Sequence, residues 1–473
     1  MVMGELEQET GLLVIGSGPG GYAAAFRAAD LGLDVTMVDP QPQPGGVCLF
    51  SGCIPSKTLL FLSELIHDAA RSEHMGVAFG PPRIDLAALR GWKAEVIGSM
   101  AGGLTSLCRQ RGIQLLQGRA RFEGSHTVRL QDSELRRVTF KHAVIATGSE
   151  TIPYPGRPFV PGGRIMDSAG ALALADIPET LLIIGGGYVG LELGTAFAAL
   201  GSRVTVVEMA QTLLPGVDRD LVAPLQRRLQ AFVHIHLQTR VAALQERDDG
   251  VDVLFEGPGI QAEQRFDRVL VAIGRRPAST ELDLARTGVT TDERGFILVD
   301  EQLRTADPAI FAVGDVAGGM MLANKASREG KVAAEAIAGK SSAYDVRSIP
   351  AIIYTDPQIA WCGLTEDQAR AAGIDVKVLR FPWKFSGRAH TMGAPEGLTK
   401  LIADPETGRI VGVGAVGRGA EGLISEGSLA VEMGVLAEDM ALSLHPHPTL
   451  SETEGEAAEL YLGSSTHILA RKA

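Results

Sequence analysis

Cys48 and Cys53 are separated by four residues in GGVCLFSGCIPSK, and two thiols this close can pass an electron pair by closing and opening a disulfide. The chain holds only two more cysteines, Cys108 and Cys362, too few and too scattered for the framework of a secreted protein. Spacing leaves other readings of the pair open. Zinc would need further ligands, and neither Cys108, Cys362 nor any histidine completes a recognisable pattern, so no metal is expected. A structural disulfide closing so short a loop would remove little unfolded-chain entropy. Lys57 follows Cys53 by one helical turn if IPSKTLLFLSELI is helical, and a cation there would depress a thiol pKa or lie beside a flavin. Taken alone, such a lysine is ordinary solvated surface.

A second constellation is SLHPHPTLSETEGE, where His445 and His447 precede a helix expected to begin in the TLSE region, with Thr449 or Ser451 as its cap. A histidine held by a carboxylate such as Glu452 is a general base, whereas an exposed linker or a metal-binding His-x-His pair fits the same letters.

The third signal is an internal repeat. Residues 12–39, LLVIGSGPGGYAAAFRAADLGLDVTMVD, align without a gap on 181–208, LLIIGGGYVGLELGTAFAALGSRVTVVE. Each copy reads as a strand, a glycine turn, an Ala-rich helix ended by Gly32 or Gly201, and a second strand ending in an acid. Gly16, Gly18 and Gly21 with Asp39, and Gly185, Gly187 and Gly190 with Glu208, would set backbone N–H groups against a pyrophosphate and a carboxylate against a ribose. Two dinucleotides in one chain imply electrons passing between a held flavin and a dissociable nicotinamide. Glu208 accepts from a 2′-hydroxyl and repels a 2′-phosphate, and Met209, Ala210 and Gln211 supply no arginine, so NAD is expected over NADP.

These groups need a scaffold of several cores, and 473 residues suggest roughly three domains. A 45% hydrophobic, Gly-rich composition with 5% aromatics fits an α/β protein. HAVIATG (142–148), RVLVAIG (268–274) and AIFAVGD (309–315) read as strands buried in parallel sheets. Connectors are expected at 152–163, 257–259 and 341–350. Beyond about residue 350, LTKLIAD, RIVGVGAVG and EGLISEGSLAVEMG predict a separate α+β domain. A net charge of −12 disfavours nucleic acid and anionic membrane surfaces, no unbroken apolar run reaches a membrane span, and the opening MVMGELEQET is acidic, so a cytoplasmic protein is expected.

Together, GGVCLFSGCIPSK, GGGYVGLELG, AIFAVGDV, MMLANKASREG and HPHPTLSE resemble the class I pyridine nucleotide-disulfide oxidoreductases along essentially the whole chain, and within them the dihydrolipoamide dehydrogenase branch. The resemblance implies two Rossmann-like dinucleotide-binding domains plus a C-terminal α+β dimerisation domain. FAD would occupy 1–154 with 282–350, NAD 155–281, and 351–473 would form a homodimer. It makes Cys48 the thiol that exchanges with substrate and Cys53 the thiol that touches the flavin, with Lys57 near flavin N5 paired to Glu192. For FAD it implies Gly118 and Ala120 near adenine, Asp315 on the ribityl chain, Thr147, Gly148 and Gly314 among the other binding residues, and Met321, Leu322 and Ala323 at a helix facing the diphosphate. Val241 and Gly274 would join the NAD site. His447 and Glu452 would be base and orienter, reaching the partner subunit's dithiol. The implied activity is oxidation of protein-bound dihydrolipoyl groups with NAD, as the E3 component of a 2-oxo acid dehydrogenase or related lipoyl-dependent complex. Another disulfide or metal reductase of the family, or a non-catalytic flavoprotein scaffold or redox sensor, are the alternative readings. Three positions depart from the pattern: Phe50 for the usual Asn, Asn324 for His, and Pro446 for Ala.

Overall fold

The computed structural model describes residues 7–469, so the acidic opening residues 1–6 and the end of the expected third domain, 470–473, lie outside the described residues. The chain first runs β1 (Glu7–Ile15), α1 (Pro19–Asp30), β2 (Val35–Asp39), α2 (Gly46–Ser51), α3 (Cys53–Arg71), α4 (Leu86–Gln110), β3 (Gln114–Gln117), β4 (Arg119–Gly124), β5 (Thr127–Gln131), β6 (Arg137–Ile145) and β7 (Ser149–Thr151). Leu12 to Val14 are fully buried, as an uninterrupted apolar strand between two helical layers must be. β3, β2, β1 and β6 lie parallel in that order, and β5 and β4 extend the sheet antiparallel.

The second unit comprises β8 (Ile165–Met166), α5 (Ser168–Ala173), β9 (Thr180–Ile184), α6 (Tyr188–Ala199), β10 (Arg203–Val207), α7 (Arg219–Leu229), β11 (Val233–His236), β12 (Arg240–Glu246), β13 (Val251–Glu256), β14 (Glu263–Phe266), β15 (Arg268–Val271) and β16 (Arg275–Pro277). A parallel sheet β11-β10-β9-β15-β8 repeats the strand–turn–helix–strand unit, and β12, β13 and β14 form an antiparallel sheet beside it. The stretch 257–259 is therefore not a connector but lies in the hairpin between β13 and β14, because Pro and Gly mark tight turns and linkers alike. The true crossing is a ribbon in which β7 pairs antiparallel with β16. β17 (Ile310–Ala312) then returns beside β6, and α8 (Ala323–Ile337) packs on α1, where a Cβ on Gly330 would lie 2.3 Å from the Gly20 carbonyl oxygen.

The third unit holds β18 (Ala351–Ile353), β19 (Gln358–Gly363), α9 (Glu366–Ala372), β20 (Lys377–Pro382), α10 (Gly387–Thr391), β21 (Leu398–Ala403), β22 (Ile410–Gly417), α11 (Ala420–Met433), α12 (Ala437–Leu442) and α13 (Glu452–Leu462). Its antiparallel sheet runs β18-β19-β22-β21-β20. Ionic knots tie it to the rest, among them two around Asp356 and Lys400. Asp356 meets His67 (2.9 Å) and Arg71 (3.1 Å) of α3 and Arg228 (3.2 Å) of α7. The buried Lys400 ammonium closes the carboxylate cluster of Asp218, Asp220 and Glu366 at 2.6, 2.8 and 2.5 Å. The stretch Gly46–Met75 is long and apolar enough to cross a membrane by composition, but it breaks at Gly52, and α3 buries Ser56, Thr58 and Ser63 while packing on α6.

Glu454 of α13 is fully buried, and neither of its carboxylate oxygens has a hydrogen-bond partner among the described residues. Burial, reinforced by Glu426, pushes its carboxyl up to about 9. Its folded pKa thus lies above the unfolded value, so the native state holds an extra proton between about pH 4.5 and 9, and stability falls across that window by up to about 1.4 kcal/mol per unit. Glu454→Gln is expected to raise Tm, and to raise it more at pH 8 than at pH 5. Thermal melts giving one equal shift at both pH values would refute this account.

A dithiol cleft joined to two dinucleotide turns

In both repeats the glycines are dictated by contact. Gly16 has φ +101° and Gly185 φ +113°, and a Cβ on Gly21 or Gly190 would lie 1.9 or 2.4 Å from the carbonyl oxygen of Gly16 or Gly185. The acids act identically in the two copies. Asp39 accepts from Ser17 N (2.7 Å) and Gln41 N (2.8 Å), and Glu208 from Gly186 N (2.7 Å) and Ala210 N (2.8 Å). Each carboxylate fixes its turn and keeps lone pairs for a ribose.

From the first turn opens a cavity of about 670 Å³. It is lined by Gly16, Gly18, Asp39, Cys48, Cys53, Lys57, Gly118, Ala120, Thr147, Gly148, Glu192, Gly314, Asp315, Met321 and Ala323. Among the residues expected around a flavin, Gly21 and Leu322 stand off this wall: Gly21 is packed beneath the turn, and Leu322 is the residue from which α8 starts. The fit to FAD is tested by the protein's own atoms. The Ser17 hydroxyl is buried in the turn with no partner among the described residues, α1 and α8 both point N-termini at the cavity, and the long slot suits an extended dinucleotide. A group of that shape fits.

Cys48 lies on α2 and Cys53 begins α3, with Gly52 between the two helices. The cysteines are free thiols, the reduced form of the pair. The hydrogen bond from the Cys48 thiol brings Cys53 down to about 7 against burial, and the Lys57 ammonium acts in the same direction. Its counterpart Cys48 is pushed up by that same hydrogen bond and by burial. Lys57 is one turn along α3, donates to Glu192 Oε2 at 2.7 Å, and stands 4.7 Å from the Tyr354 ring centroid. Glu192, almost fully buried on α6, accepts from Tyr354 N at 3.0 Å, so the pair is fixed from three elements. Phe50 lines the cavity beside the dithiol, and Asn324 donates to the Pro350 carbonyl, fastening α8 to the connector just before β18.

Arg275 and Ser149, which no sequence pattern singles out, join Asp315 in a polar chain. Arg275 donates to Ser149 Oγ (2.7 Å) and to the Ser149 carbonyl (2.7 Å), and Ser149 Oγ donates to Asp315 Oδ2 (2.5 Å). All three line the cavity where the β7–β16 ribbon meets it. The only available signal was that Arg275 directly follows the glycine ending the strand RVLVAIG.

The other expected nicotinamide-site residues lie away from this cavity. Gly187 lines a separate recess with Tyr188 and Leu214, while Val241, on β12, accepts at its carbonyl from the Tyr154 hydroxyl. Gly274 has φ +129° and its carbonyl accepts from Ile152 N at the start of the ribbon.

His447 and Glu452 are together but apart from their own chain's dithiol cavity. His447 Nδ1 donates to Glu452 Oε1 at 2.8 Å, which leaves Nε2 as the ring's free acceptor, and Thr449 N donates to Glu452 Oε2 at 2.8 Å. Burial alone would raise the Glu452 carboxyl, but the Thr449 amide and His447 hold it below its ordinary value. The capping expected of Thr449 or Ser451 does not occur. Ser451 is at the N-cap in an αR conformation with no side-chain capping bond, its hydroxyl paired with that of Thr449 at 2.8 Å, and the Thr449 hydroxyl also turns back to the Pro446 carbonyl. The first-turn amides go to backbone instead, Thr453 N donating to the Leu450 carbonyl and Glu454 N to the Ser451 carbonyl, both at 3.0 Å.

Residues 10–330 match the family model of the pyridine nucleotide-disulphide oxidoreductases, and residues 349–458 match the dimerisation domain of the same family. The chain is 45% identical over 466 residues to dihydrolipoyl dehydrogenase of Vibrio parahaemolyticus, covering 98% of both chains. It is 44% identical to that of Geobacillus stearothermophilus over the full length of both. Among solved structures it is similar to LpdA from Mycobacterium tuberculosis, with a TM-score of 0.86, 26% identity and coverage of 95% and 99%. The HOCl-induced flavoprotein disulfide reductase RclA of Escherichia coli has a TM-score of 0.83, 27% identity and coverage of 95% and 99%.

Proposed function

The chain belongs to the pyridine nucleotide-disulphide oxidoreductases, and on that premise we propose that it oxidises protein-bound dihydrolipoyl groups to lipoyl while reducing NAD. It is an NAD-dependent flavoprotein oxidoreductase with FAD and NAD as cofactors, and a homodimer. Residues 1–154 and 282–350 would hold FAD, 155–281 NAD, and 351–473 would make the dimer. Full-length identity to relatives named dihydrolipoyl dehydrogenase carries the lipoyl reading, and the intact His447–Glu452 pair supports it.

In this reading Nε2 of the partner subunit's His447 takes a proton from one substrate thiol. Its Nδ1–H keeps donating to the Glu452 carboxylate, which stabilises the imidazolium formed. The substrate thiolate attacks Cys48 Sγ of the disulfide, forming a mixed disulfide and releasing Cys53 as a thiolate. The second substrate thiol displaces Cys48, its proton passing to the departing Cys48 sulfur, and cyclic lipoyl leaves. Lys57 stabilises the Cys53 thiolate, and Glu192 holds Lys57 in place. FAD held in this cavity would supply the two-electron transfer that links the Cys53 thiolate to NAD. Asp39 and the first glycine turn would hold FAD's adenosine diphosphate, Asp315 its ribityl chain, and Glu208 with the second turn the NAD ribose and pyrophosphate. A cytoplasmic setting and service to a multienzyme complex as its E3 component complete the proposal.

The test is an assay of purified protein with dihydrolipoamide and either nicotinamide, alongside glutathione disulfide and mercuric ion with NADH or NADPH. NAD reduction by dihydrolipoamide is expected, with kcat/KM for NADP lower by about 100-fold or more through repulsion at Glu208. Turnover confined to another disulfide or a metal ion would transfer the chain to the alternative reductase reading.

A further inference from the structure

His447 stands on an exposed hook, residues 443–449, in which Leu444 is fully exposed and the His447 side chain is 78% exposed. What aims such a hook is not obvious from the base itself. His445, two residues earlier, is nearly buried, and its Nε2 donates to Glu426 Oε1 of α11 at 2.9 Å. The other edge of its ring lies against α13, where a Cβ built on Gly455 would sit 2.9 Å from Nδ1 and 3.1 Å from Cε1. The ring is thus wedged between two helices, and only a glycine leaves it room. Pro446 and Pro448 fix φ on either side of His447, so a displacement at His445 is passed on instead of being absorbed by backbone torsion.

We infer that His445 is a positioning residue for the base: clamped between Glu426 and Gly455, it sets where the proline-stiffened hook presents His447 Nε2 to the dithiol of the other subunit. The inference rests on the proposed dihydrolipoyl chemistry. Glu454 lies beside the same contact, its carboxyl pushed up by burial and by Glu426.

The test separates the two half-reactions of the FAD-loaded dimer by stopped flow. His445→Ala is expected to slow reduction of the enzyme by dihydrolipoamide about 10- to 100-fold, since misplacing a catalytic group by about 1 Å has that scale of effect. Reoxidation by NAD, flavin content and NADH–ferricyanide turnover should stay within about twofold, as none of these uses the base. His445→Gln, whose amide N–H can reach Glu426, should restore most of the rate. Gly455→Ala keeps every polar group and should reproduce the defect, and the double variant should be no worse than His445→Ala, because both act through one contact.

An active wild type with His445→Ala reduced at the wild-type rate overturns the inference. So do equal losses in both half-reactions, or fully additive effects of the two substitutions. A wild type inert toward dihydrolipoamide overturns the functional reading itself, and this one with it.

Discussion

Cys53→Ser should lower dihydrolipoamide oxidation by at least about 10⁴-fold, because it removes an atom through which every electron pair passes. The loss should come with a spectroscopic mark. Two-electron reduction of the wild type leaves a thiolate at Cys53, and its long-wavelength charge-transfer absorbance should be missing from the variant. Because Cys53 titrates at about 7, the wild-type band should be strong above that pH and fade as pH falls through it, when the thiolate takes up a proton. Cys48→Ser provides the contrast. It also stops turnover, since no mixed disulfide can form, but a serine hydroxyl can still donate to Cys53, so the band should remain. A Cys53→Ser protein that kept both the band and its turnover would defeat the assignment of the two sulfurs.

His447→Gln ranks second, with an expected drop of about 10²- to 10⁴-fold in dihydrolipoamide oxidation, the usual contribution of a positioned general base. Flavin binding should be untouched, because His447 is exposed on the hook and absent from the cavity wall of its own chain. The remaining rate should climb with pH, since a pre-formed substrate thiolate no longer needs the base. A rate equal to the wild type, or one insensitive to pH, would remove His447 from the mechanism.

Much of this was legible because it is local. The glycine turns, the acids twenty-odd residues on, and the lysine one turn beyond Cys53 are short-range patterns, and helix and strand geometry convert such spacing directly into proximity. The pairing of Lys57 with Glu192 is different in kind. It joins residues 135 apart in sequence, so only the family resemblance suggested it. The polar chain of Arg275, Ser149 and Asp315 is assembled by a three-residue ribbon where the backbone crosses between sheets, and no periodicity announces it. The stretch 257–259 was misread because turn residues look alike in a hairpin and a linker. Glu454 runs against the expectation that glutamates face water, and burial of this kind is visible only once α13 is packed on α12, β20 and β21.

The two glycines that seat the dithiol bear on how tolerant the site is to change. A Cβ on Gly46, at the head of α2, would lie 2.6 Å from the Gly18 Cα of the first glycine turn. The helix that delivers Cys48 therefore rests on the same backbone that would grip a dinucleotide's diphosphate, with no side chain between them. Sulfur and cofactor share one datum, and their separation is machined by peptide geometry instead of by packed side chains that drift under mutation. Phe50, which stands where the family pattern has Asn, lines the cavity and takes no part in that backbone contact.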